Sequence, residues 1–138
     1  MRSTGSYRVV NLTKQAIIAT RARLAASWWA RAVGLLTRRR LEDGEALILP
    51  KACSIHTCGM RFPIDVVVVN REGRVQAVVA PMPPWRLSPW WREAGAVIEC
   101  PVGTLARSST VAGDRVTWSP EPPSGPPPSG QPLTRGGF

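Results

Sequence analysis

The sequence holds one histidine, His56, and only two lysines, Lys14 and Lys51, among its 18 basic residues. It has no long uninterrupted apolar run. The most hydrophobic stretch, Ile17 to Leu36, is broken by Arg21, Arg23 and Arg31. Charges at those depths would cost about 2.5–3.5 kcal/mol each on insertion scales, so no membrane span is expected. Residues Met1 to Tyr7 are polar and supply no apolar core for a signal peptide. Three cysteines, an odd number, do not read as a secreted disulfide framework. A cytoplasmic protein with free thiols is expected. Acids are scarce too: nine against 18 bases leave a formal net charge of +9.

What is present suits one domain with one core, since 138 residues at 43% hydrophobic content would be cramped as two. Arginine keeps its charge at any accessible pH and offers a planar fork to phosphates and carboxylates. The resulting field draws anionic partners without identifying them, and it fits a solvated arginine-rich surface equally well. From Pro120 to Phe138 the chain holds seven of its 14 prolines and almost nothing that could fill a core. Such a segment cannot bury enough surface to offset its ordering entropy. Residues 1–6 and the Pro/Gly-rich tail 119–138 are therefore expected to be disordered, around a folded unit at 7–118. The PxxP spacing from Pro120 to Pro123 suits an aromatic groove, and an inert extension explains it as well.

Within that unit most segments read as strands: Tyr7 to Leu12, Ala16 to Leu24, Glu45 to Leu49, Ile64 to Val69, Val75 to Ala80, Ala96 to Cys100 and Arg115 to Trp118. Asn70-Arg71-Glu72-Gly73 has the composition of a type I turn and predicts a β-hairpin around it. One helix is expected after Ser27, a suitable N-cap. Trp28, Ala32, Leu35 and Leu36 give it an apolar face, and Arg38 to Arg40 suit its C-terminal end. Many short strands with frequent turn signals and one helix predict a mainly-β domain, α+β at most. The expected form is an antiparallel sandwich or partial barrel with the helix packed on it.

Several blocks carry a recognisable pattern: Arg31 to Arg38 (RAVGLLTR) with Leu41, then Ile55 to Val67 (IHTCGMRFPIDVV), then Val97 to Gly103 and Gly113-Asp114. In this order they resemble the signature of the family called domain of unknown function 192, over about residues 8–118. Two positions depart from that pattern, Val68 where phenylalanine is expected and Thr37 where glycine is usual. The resemblance implies a mainly-β sandwich carrying one helix. It implies no mechanism, because the family has no established reaction.

His56 lies between Cys53 and Cys58, which invites a metal reading. Zinc favours four ligands from well-spaced pairs, and no second pair exists here. If Cys53 to Met60 were a strand, His56 and Cys58 would share one face and Cys53 the other, which disfavours both chelation and a Cys53–Cys58 disulfide. The same alternation allows His56 to activate Cys58 as a nucleophile, with Asp65 or Glu99 orienting the imidazole. The family pattern, however, does not call for cysteine at position 58. No metal, cofactor or catalytic residue is assigned.

The leading expectation is a non-enzymatic binding or accessory module, with a polar site drawn from His56, Thr57, Arg61, Asp65, Glu99 and Trp85. Asp65 could instead cap a turn or pair with Arg61. Glu99 lies in an apolar strand, so facing inward it needs a partner such as an arginine. Trp85, Trp90 and Trp91, interleaved with Arg86 and Arg92, resemble a single-strand nucleic-acid groove and equally a loop covering one end of the sandwich. Two alternatives follow: a hydrolytic or thiol-based enzyme using His56 with Cys58 or Asp65, and a basic binder of nucleic acid or an anionic surface. The expected partner is a small molecule or protein, with nucleic acid ranked below, and the expected state is a monomer.

Overall fold

Val66 to Val69 are all buried, so the strand that carries them has no solvent face. A continuous apolar run of this kind belongs to a strand covered on both sides. The structure, a computed structural model, describes residues 5–27, 31, 35–36 and 38–121. Seven strands form one sheet: β1 (Tyr7–Asn11), β2 (Ala16–Leu24), β3 (Glu45–Pro50), β4 (Ile64–Asn70), β5 (Val75–Met82), β6 (Ala94–Cys100) and β7 (Val116–Pro120). Their order is β5-β4-β6-β3-β2-β1-β7. A one-turn helix, α1 (Thr104–Arg107), follows β6. The mainly-β expectation holds, and of its two forms the partial barrel is adopted.

Five neighbouring pairs are antiparallel, and β2 runs parallel to β3. A parallel pair needs a crossover, commonly helical. The helix expected after Ser27 lies in that connection. Trp28 and Ala32 of its expected apolar face are outside the described residues. Arg31, Leu35 and Leu36 are helical. The Arg31 amide donates to the Ser27 carbonyl at 3.1 Å, the bond an N-cap carbonyl accepts.

Strand alternation divides the core. Leu47, Leu49, Val66, Val68 and Val97 face one side, packed against Leu35, Ile55, Phe62 and Trp91. Ile48, Val67, Val69, Ala96 and Ile98 face the other with Val9, Ile18, Leu105 and Val116. The second side is the inside of the curl. There the Val75 amide donates to the Asp114 carbonyl at 2.7 Å and the Val116 amide to that of Gly73 at 2.8 Å. These bonds bring the β7 end of the sheet onto the β5 end. Gly73 (φ +86) completes the β4–β5 hairpin turn, and a Cβ there would meet the Val116 carbonyl at 3.0 Å.

β3 and β4 run one residue past their expected ends, to Pro50 and Asn70, and β6 starts two residues early at Ala94. β5 and β7 each run two residues further than expected. β5 continues past Ala80 through Pro81, which an edge strand tolerates because it need not donate every N–H. β7 continues past Trp118 to Pro120, and the Glu121 amide then donates to the Ser6 carbonyl at 2.8 Å. The rest of the expected tail, 122–138, lies outside the described residues, as do residues 1–4.

A buried polar cluster pins β1 to the approach to β7. The Asp114 carboxylate accepts from the Asn11 amide at 2.9 Å, the Lys14 ammonium at 2.8 Å and the Val111 backbone at 3.1 Å. The Asn11 and Lys14 hydrogen bonds hold Asp114 down at about 2, from an ordinary value of 3.8. A depressed carboxylate stabilises the fold above its unfolded-state pKa, and that contribution is lost as pH falls through the folded-state value. Acidification from 3.8 towards 2 should therefore lower the urea midpoint of the native chain more than that of Asp114→Asn. Parallel losses in the two proteins would contradict this assignment.

Candidate functional site

Glu99 is the second-last residue of β6, opposite Leu47 of β3 and Val66 of β4, with 0% of its surface exposed. Between two apolar neighbours its carboxylate must find a partner inside the protein. The partner is Arg31, itself only 6% exposed. Its Nε lies 3.1 and 2.9 Å from the two carboxylate oxygens and its Nη2 2.7 Å from Oε2. Burial pushes the Glu99 carboxyl above its ordinary value, and the Arg31 charge and hydrogen bonds oppose that rise.

Arg31 does a second thing. Its Nη2 also donates to the His56 backbone carbonyl at 2.8 Å. The ion pair thus fixes the segment that carries the single histidine. Arg31 and His56 together line a cleft of about 240 Å³, with Leu49, Ala52, Ser54 and Ile55 among its other walls.

The His56 segment is not a strand. Residues 51–60 are irregular, with a single bridge between His56 and Leu87. The alternation argued for Cys53 to Met60 therefore does not apply. The segment is zipped to the tryptophan loop instead: Thr57 donates to the Arg86 carbonyl at 2.9 Å, Ser88 to that of Ile55 at 2.9 Å and Trp91 to that of Cys53 at 2.7 Å. His56 Nδ1 accepts the Cys58 backbone N–H at 3.2 Å, which places the proton of the neutral ring on Nε2. That contact engages the amide of Cys58 rather than its thiol. All three cysteines are free thiols.

The residues singled out in the sequence separate. Thr57 is fully buried, and its hydroxyl donates to the Pro83 carbonyl at 2.6 Å while accepting the Arg86 amide at 2.9 Å. It is a staple between two loops. Asp65 stands opposite Cys100 in the β4–β6 ladder, one register position from the Val66–Glu99 pair, so it faces the inside of the curl. There its Oδ2 accepts the Gly103 and Leu105 amides at 3.0 and 3.2 Å, capping α1. Asp65 therefore cannot orient His56, and the His56–Asp65 pairing is corrected. Arg61 is exposed and forms no part of the cleft wall. Trp85 is exposed on the neighbouring loop. Of the six residues, His56 and Glu99 are brought together, through Arg31. Arg31 was visible in the sequence as a charge interrupting an apolar stretch, but its partner lies 68 residues away.

The profile of the DUF192 family, described as Uncharacterized ACR, matches residues 9–118. A protein of unknown function from Novosphingobium aromaticivorans DSM 12444 is similar in structure, with a TM-score of 0.68 and 26% identity over 81% of this chain and 83% of that one. A proposed transcription regulator from Sinorhizobium meliloti 1021 superposes with the same TM-score at 17% identity, over 86% of this chain and 98% of its own, a likeness of fold alone. No curated protein matches the chain.

Removing one partner of a buried ion pair strands the other charge, at a cost of about 3–5 kcal/mol, whereas replacing both with apolar groups is often close to neutral. Arg31→Met should therefore lower the unfolding free energy by about that amount, and Arg31→Met/Glu99→Leu should recover most of the loss. Chemical denaturation of the native chain, Arg31→Met, Glu99→Leu and the double variant measures the coupling. Additive losses would show that the pair does not hold the site together.

Proposed function

The chain belongs to the DUF192 family, and for this member we propose a non-catalytic binding module whose site is the cleft between Arg31 and His56. The observation that supports this reading is the Arg31 guanidinium, which is saturated towards Glu99 on one side and reaches the His56 segment on the other. A permanently charged fork at a cleft, held by a buried carboxylate, is a pre-organised anchor for a carboxylate or phosphate group. Its Nη1 takes no part in either contact. His56 Nε2–H and Ser54 add donors, while Leu49, Ala52 and Ile55 supply apolar wall. The fitting ligand is a small molecule with one anionic group and a short apolar body. In this reading residues 7–118 work as a single domain, monomeric and cytoplasmic. Among the described residues no helix is long and apolar enough to cross a membrane.

The test is a backbone-amide NMR titration with sodium butyrate and, separately, with inorganic phosphate, to about 50 mM. Saturable shifts confined to Ala25–Ser27 and Ser54–His56 are expected. They should weaken at least about tenfold in a folded His56→Ala protein. Absent or unsaturable shifts with both probes would sink the proposal, as would a His56→Ala protein that binds like the native chain.

A further inference from the structure

Trp85, Leu87 and Trp90 are 67%, 77% and 70% exposed, and all three stand on the one loop that follows β5. Isolated surface apolar residues are ordinary, whereas three large ones on one loop are a patch that calls for a partner. The loop does not expose them for want of structure. Its backbone is tied to residues 53–57 by the bonds described above, and Thr57 is buried beneath it as a staple. Trp85 itself is held at φ 63, a left-handed conformation that a bulky residue avoids, with its amide donating to the Thr57 carbonyl at 3.0 Å. Backbone held this way by its surroundings presents side chains outward in a fixed pattern.

The charge beside the patch is predominantly positive, and the acid that adjoins it in sequence is Glu93, exposed next to Arg92. Residues 51–61 and 83–92, the two segments zipped together here, contain Lys51, Arg61, Arg86 and Arg92 and no aspartate or glutamate. The ion pairs among the described residues use Arg8, Lys14, Arg31, Arg38, Arg40 and Arg107, and none of these four.

We propose that this loop docks the protein on an anionic bilayer surface, with Trp85, Leu87 and Trp90 entering the headgroup boundary and the surrounding cations facing the anionic lipids. Indole rings favour that boundary because one part is apolar and one N–H is polar. Anionic lipid attracts basic residues close to the surface. A single-stranded nucleic acid would also use tryptophan and arginine, but it stacks bases on rings. Leu87, the most exposed of the three, has no stacking face and gains only from an apolar phase. The surface is independent of the ligand proposed for the cleft.

The experiment is sedimentation of the full chain with phosphatidylcholine vesicles, with and without about 30 mol% phosphatidylserine, at about 50 mM salt. Binding should require the anionic lipid and fall on raising the salt, and lipids brominated in their upper acyl chain should quench tryptophan fluorescence. Trp85→Ser/Trp90→Ser should weaken binding at least about tenfold, and Arg86→Gln about fivefold, with the amide NMR pattern unchanged. Leu87→Ser separates the partners: it should weaken vesicle binding like a tryptophan change. No binding to anionic vesicles, or binding that Leu87→Ser leaves intact, would overturn the proposal. So would an oligo(dT) affinity exceeding that for vesicles and sensitive to the tryptophans alone, or a Trp90-dependent dimer formed without lipid affinity.

Discussion

A carboxylate at the centre of the sheet is the constraint around which the structure is arranged. Glu99 lies between Leu47 and Val66, where water cannot reach it. The chain solves this with a permanently charged guanidinium brought from the β2–β3 crossover. Such a pair contributes little net stability, because desolvating two charges offsets most of their attraction. Its importance is that few arrangements satisfy it. The crossover must present Arg31 at one height above the sheet, and the 51–60 segment must place the His56 carbonyl at the remaining Nη2 donor. Helical crossover, strand and loop are keyed by one side chain.

The neighbouring acid shows how fine this assignment is. Asp65 and Glu99 are one register position apart in the same β4–β6 ladder, and the pleat sends them to opposite sides. Glu99 serves the side that carries the cleft. Asp65 serves the inside of the curl, where it satisfies the two amides at the start of α1. Each buried acid meets the donors its own side offers, a guanidinium in one case and backbone amides in the other.

Local patterns were legible in the sequence, and long-range partnerships were not. The β4–β5 hairpin could be read because its turn chemistry and its two apolar runs lie within about 20 residues of one another. The requirement that an inward Glu99 have an arginine partner could also be stated. Which arginine could not, since 16 arginines of equal charge compete and the choice depends on how the crossover lands. Asp65 was grouped with His56 because they are close in sequence, yet side depends on strand register, which sequence proximity does not report. The alternation argued for residues 53–60 holds only if they form a strand, and they do not. Their partner is the tryptophan loop, whose bulky, proline-rich backbone admits a single bridge rather than a ladder. α1 is one turn long, too short to leave a periodic signal.

The net charge of +9 gains meaning only when it is divided. Most arginines that meet an acid do so at the sheet margins or beneath the crossover, where they tie segments together. Lys51, Arg61, Arg86 and Arg92, on the two segments that carry Trp85, Leu87 and Trp90, form no ion pair among the described residues. Those segments also carry the His56–Leu87 bridge, so the most exposed apolar residue and the histidine of the cleft share one point of backbone pairing. The loop is tied to the His56 segment by that bridge, the Thr57 staple, the Trp91–Cys53 backbone bond and the Ile55 amide to Ser88 Oγ bond. From His56 the connection continues through its carbonyl to Arg31 and Glu99, in the centre of the sheet. The cleft and the cationic apolar loop are thus two ends of one continuous set of hydrogen bonds, and the buried carboxylate anchors both.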